Sequence, residues 1–140
     1  MTKDRVNISL EKSTTDLIRR VGNTSRYIEQ LFLDARQSWL EALSVVRESG
    51  WGRAEVLAAC DAFNGHFWQR GDDNGCAISA GLADATELDG LATKWELRPK
   101  AWKKKLDELV TDDRLAEALA VVVREFWRHN AELEAQIERL

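Results

Sequence analysis

The 140-residue chain holds one proline, one methionine, one tyrosine, two histidines and two cysteines. One proline and eight glycines exclude a collagen-like or Pro/Gly-rich low-complexity chain. Two thiols, Cys60 and Cys76, are too few for a disulfide-stapled scaffold, and a chain of this length folds without staples, which fits a reducing compartment. Long apolar runs are absent too. The longest uncharged, strongly apolar run, residues 118–123, is far too short to span a bilayer, and residues 1–13 hold no apolar signal core, so a cytoplasmic location is expected. An excess of positive charge is also missing. Twenty Lys and Arg against 24 Asp and Glu give a net charge of −4, which argues against a polybasic nucleic-acid binder.

What is present is helix-forming material: 44% apolar and 31% charged residues, rich in Ala, Leu and Glu. The length suits one domain, or a small domain and a modest second one. Charge divides unevenly along it. Residues 1–48 hold eight basic against seven acidic residues, net +1, and residues 49–140 hold twelve against seventeen, net −5. An anion-binding surface is therefore expected in the first third.

Arg5-Val6-Asn7-Ile8-Ser9-Leu10 alternates polar and apolar residues, and two of its three apolar residues are β-branched, so the pattern predicts a half-buried strand. No other segment offers that strand a partner, so a second copy of it, paired about a two-fold axis, is expected. Ser13-Thr14-Thr15-Asp16 has the spacing of a helix N-terminus, and Leu17, Ile18 and Val21 give a short helix that Gly22-Asn23 stops. Thr24 or Ser25 is expected to cap a second helix reaching Glu48, whose apolar residues Ile28, Phe32, Ala35, Trp39, Ala42 and Val46 recur at fours and threes. Its length is about 37 Å. Ser49-Gly50-Trp51-Gly52 interrupts the pattern and places a domain boundary at 48/49. Beyond it helices are predicted at about 53–64, 78–96, 99–110 and 112–140, separated by Gly65, the 71–75 turn, Pro99 and Thr111-Asp112-Asp113.

A strand with Val6, Ile8 and Leu10 on one face presents Arg5, Asn7 and Ser9 on the other. A two-stranded ribbon fits the major groove, where Arg forks onto guanine and Asn onto adenine. The amides of Asn23, Thr24 and Ser25, at the positive end of the second helix, and Arg26 suit a phosphate. The order strand, short helix, Gly-Asn turn, longer helix, with the strings Arg5-Val6-Asn7-Ile8-Ser9-Leu10 and Gly22-Asn23-Thr24-Ser25-Arg26-Tyr27-Ile28, resembles the ribbon-helix-helix family of Arc- and CopG-like repressors and antitoxins. The resemblance covers roughly residues 3–40. It implies an N-terminal ribbon-helix-helix domain (1–48), dimerised through strand 5–10 and helix 24–48; with the helices predicted beyond it, the chain is expected to be mainly α, with a C-terminal region of about four helices (49–140) of unknown role. It further implies base contacts from Arg5, Asn7 and Ser9, phosphate contacts from Lys3, Asn23, Thr24, Ser25 and Arg26, and a palindromic double-stranded operator. The first helix is about a turn shorter than is usual in that family, and the second runs past the usual end.

The remaining signals are weaker. Cys60, His66 and Cys76 with Asp72 and Asp73 are metal-ligand types, but their spacing matches no common zinc pattern, and no metal or cofactor is expected. The acidic 72–73 turn would raise a nearby thiol pKa, which disfavours a nucleophile, so no enzyme is expected. Trp39, Trp51, Trp68, Trp95, Trp102 and Trp127 are read mostly as core, with room for a protein-binding patch. Lys100, Lys103, Lys104 and Lys105 are read as a solvated cluster spread around a helix. The expected function is sequence-specific, autoregulatory repression in a bacterial cytoplasm, by an intersubunit ribbon in the major groove. An antitoxin whose region 49–140 binds a toxin, and a plasmid or phage segregation or assembly factor, are the alternatives.

Overall fold

A computed structural model describes residues 9–63 and 85–140. Among the described residues seven helices follow in order: α1 (Lys12–Arg19), α2 (Thr24–Glu48), α3 (Arg53–Ala62), α4 (Ala85–Lys94), α5 (Pro99–Thr111), α6 (Asp113–Trp127) and α7 (Ala131–Glu138). Among the described residues there is no strand, which corrects the expected ribbon. Residues 5–8 lie outside the described residues, and Ser9 and Leu10 are exposed and carry no ladder. Alternation permits a strand but does not make one, because a strand needs a neighbour for its N–H and C=O groups. Among the described residues none of these helices is long and apolar enough to cross a membrane.

The chain divides into two compact units, Met1–Arg36 and Gln37–Leu140, so the division falls inside α2, ahead of the 48/49 break. In the first unit α1 begins at Lys12, earlier than the Ser13-Thr14 cap predicts: Glu11 occupies the cap position without a side-chain cap bond, and the Thr15 hydroxyl donates to its carbonyl at 3.1 Å. None of the described residues of this unit is buried.

Among the described residues all the core lies in the second unit. It begins at Trp39 and includes Leu43 and Val46 of α2, Trp51 after it, Trp102 and Leu106 of α5, and Ile137 of α7. Five consecutive residues of α3, Val56 to Cys60, are buried, so this helix is enclosed on every side, with α4, α6 and α7 as its neighbours. Packed on α5, α3 and α7 is α6, which buries Leu115, Leu119, Val122 and Val123 along one stripe.

Single residues set the helix ends. Gly50, at φ +82°, closes α2: the Trp51 N–H donates to the Val46 carbonyl at 3.3 Å and the Gly50 N–H to Arg47 at 3.0 Å. Lys105 Nζ donates to the Gly50 carbonyl at 3.0 Å, placing a cation at the negative end of that helix. Pro99 opens α5. Asp112 ends α5 through its N–H and starts α6, its carboxylate accepting from Leu115 N at 3.1 Å. The predicted 112–140 helix is in fact two, so residues 49–140 hold five described helices rather than four. His129 turns left-handed at φ +58°, and the Asn130 carboxamide accepts from Leu133 N at 3.0 Å to begin α7. Glu96, at φ +57°, ends α4 in the same left-handed way.

Candidate nucleic-acid interface

The joint between α1 and α2 is built by Gly22 and Asn23. Gly22 lies at φ +97°, a conformation open to glycine at little cost, and lets the chain turn sharply after Val21. Asn23, rather than Thr24 or Ser25, then caps α2. Its carbonyl accepts from Tyr27 N at 3.0 Å and its side-chain Oδ1 from Arg26 N at 3.2 Å. The Thr24 hydroxyl donates to the Gly22 carbonyl at 3.4 Å.

That capping settles which amides face outward. The first four N–H groups of any helix lack an acceptor inside it. Here the cap takes Arg26 N, which leaves Thr24 N and Ser25 N directed out of the positive end of α2. Asn23, Ser25 and Arg26 are exposed and, with Glu29, Gln30 and Leu33, line a shallow recess of about 380 Å³. The Nδ2 group of Asn23 and the guanidinium of Arg26 are additional donors at its edge. Residues 1–36 carry seven Lys and Arg against five Asp and Glu, net +2, whereas residues 37–140 carry thirteen against nineteen, net −6. An anion is therefore better accommodated at this turn than on the second unit as a whole.

Of the sequence-predicted contacts, Asn23, Thr24, Ser25 and Arg26 come together at this helix start. Ser9 is exposed in the segment before α1, and Lys3, Arg5 and Asn7 lie outside the described residues.

A helix of this length is more than a small domain needs, so its far half is expected to join the second region, and the structure divides the stripe in that way. Trp39, Ala42, Leu43 and Val46 are buried in the second unit, whereas Leu31 and Phe32 in the first unit are 50% and 63% exposed. Leu17, Val21, Tyr27 and Leu33 are exposed as well. So many large apolar side chains on one small unit form a surface that water covers poorly.

The lysine cluster of α5 is also ordered differently from expectation. Lys100, Lys103 and Lys104 stand exposed at spacings of three and four, on one side of the helix, and Lys105 alone turns inward to Gly50. Among the tryptophans, Trp39, Trp51 and Trp102 are buried, Trp95 is half-buried and Trp127 is exposed, while Trp68 lies outside the described residues. Burial, and to a lesser degree the Asp61 charge, push the Cys60 thiol up to about 12, so it is protonated and enclosed. Among the described residues no group of three or more His, Cys, Asp and Glu is placed to hold a metal; His66, Asp72, Asp73 and Cys76 lie outside them. Compared with protein-family models, curated proteins and solved structures, the chain matches none.

Proposed function

We propose that the chain is a homodimeric double-stranded DNA-binding regulator, a repressor of the bacterial cytoplasm that acts by occupying its operator and performs no covalent chemistry. The observation that carries the reading is the Asn23-capped start of α2, where the free amides of Thr24 and Ser25 lie at the positive helix end beside a recess lined by Ser25 and Arg26, with Glu29 as its one acid. The exposed apolar side chains of the same unit support the dimer, because a second copy is a partner always present at equal concentration. A two-fold axis then sets two such helix starts against one duplex, as a palindromic site requires. In this reading Lys3, Asn23, Thr24, Ser25 and Arg26 hold phosphates, and Arg5, Asn7 and Ser9, in the segment before α1, reach the bases.

The test is fluorescence anisotropy on a labelled fragment of the upstream region of the gene against scrambled DNA, over a salt series. Arg26→Ala weakens binding on all sequences alike and makes the slope of log affinity against log salt shallower by about one. Asn23→Asp keeps the cap but sets a negative charge against the phosphate, so helix content holds while affinity falls. Arg5→Ala/Asn7→Ala loses discrimination between fragments, at about 1 to 3 kcal/mol per bidentate contact removed. Binding that ignores both Arg26→Ala and Asn23→Asp would sink the proposal.

A further inference from the structure

The second unit carries two surfaces of opposite charge that DNA binding leaves unused. The first is a groove of about 460 Å³ between the C-terminal part of α2 and α6. Its floor is apolar, from Ala42, Val45, Ala118 and Val121, and its rim carries Glu41, Glu48 and Glu117 against one cation, Arg114. Glu48 and Glu117 make no ion pair among the described residues, and Glu41 accepts only from the amide of Gln37, at 2.8 Å.

The second surface is the outer side of α5. Lys100, Lys103 and Lys104 share it, with Arg98 just before the helix and two acids a turn further on, the exposed Asp107 and the half-buried Glu108. These four cations make no ion pair among the described residues. Val110, seven residues after Lys103 and therefore on the same side, is 54% exposed. A helix face with cations at one end and an apolar side chain at the other matches a groove with an apolar floor and an acidic rim.

We infer that α5 of one copy docks into the α2/α6 groove of the next, lysine stems lying on the Ala/Val floor and their ammonium groups meeting Glu41, Glu48 and Glu117. The occupant is a second copy because this one chain supplies both complementary halves. The contact runs head-to-tail, from the strip of one copy to the groove of the next, and continues into rings or filaments, whereas two copies pairing both ways at once about a two-fold axis would stop at a pair. The inference does not rest on DNA binding.

Sedimentation velocity on the full chain without DNA, over concentration and salt, tests it. The weight-average mass rises with concentration beyond a dimer and falls back at high salt. Lys103→Glu/Lys104→Glu and Glu41→Lys/Glu117→Lys each weaken growth by about tenfold or more. All four side chains are exposed, so both variants melt as the wild type does. Mixed in equal amounts the two variants associate again, because the acidic strip of one fits the basic groove of the other. A constant mass at every concentration, growth that ignores either reversal, or a mixture that fails to recover would overturn the inference. So would a strip reversal that lowers DNA affinity and leaves mass growth untouched, since it assigns the lysines to nucleic acid. The mass at which the variants stop, one chain or two, reports separately on dimerisation through the first unit.

Discussion

Replacing Phe32 with alanine should loosen the dimer far more than it disturbs the single chain. Phe32 is 63% exposed on α2. Full burial of such a side chain is worth about 1.5 to 3 kcal/mol, so covering the part now in water contributes roughly 1 to 2 kcal/mol per copy. A two-fold dimer counts it twice, about 2 to 4 kcal/mol, which corresponds to a dissociation constant raised roughly 30- to 1,000-fold. Within one chain Phe32 belongs to no core, so the second unit should melt unchanged. Sedimentation equilibrium in high salt, where charged contacts are screened, isolates the apolar interface. A wild-type chain that stays monomeric throughout, or a variant whose dimer constant moves by less than about threefold, would refute the reasoning.

Three further outcomes follow from the helix ends and the core. Glu96→Gly and His129→Gly each relieve a left-handed residue at a helix end and should raise stability by about 1 kcal/mol, read as a higher denaturant midpoint with unchanged slope. Asn130→Ala removes the cap of α7 and should cost about 1 kcal/mol, whereas Asn130→Asp retains most of it; equal losses in the two variants would argue against the cap. Cys60 holds its proton to about 12 when folded and loses it near the ordinary 9.0 when unfolded, so unfolding releases a proton between those values and stability declines as pH rises through them. Cys60→Ala should flatten that decline, and an unaltered pH profile would show that the thiol plays no part in it.

Most helix boundaries were legible because they rest on single residues with strong local preferences. Gly50, Pro99 and Asp112 sit where turn chemistry puts them, and α2 ends at Glu48 as its periodicity predicts. The break between α6 and α7 was missed for a physical reason. The apolar spacing Leu119, Val122, Phe126, His129, Leu133 runs through it, and the opposing signal, Asn130 followed by Ala131-Glu132, is a cap that only its side-chain bond to Leu133 N reveals. The strand reading failed from the opposite cause: six alternating residues carried it alone, with no second segment to form a ladder. At the candidate interface, residues 23–26 were legible as a helix start. The identity of the cap was not, because Asn23, Thr24 and Ser25 are all good capping types and only geometry chooses between them. Nor could spacing alone separate the buried half of α2 from its exposed half, since the repeat is the same in both.

The aromatic residues are distributed so that the two units differ optically. All six tryptophans lie in the second unit, and Tyr27, the only tyrosine, lies in the first. Indole emission excited at its red edge therefore follows only the second unit, with the buried Trp39, Trp51 and Trp102 emitting at short wavelength until that unit opens. Far-ultraviolet circular dichroism registers α1 and all of α2 as well. Melting curves from these two probes will separate whenever the first unit loses its helices on its own, and their coincidence will mark the conditions in which the whole chain unfolds in one step.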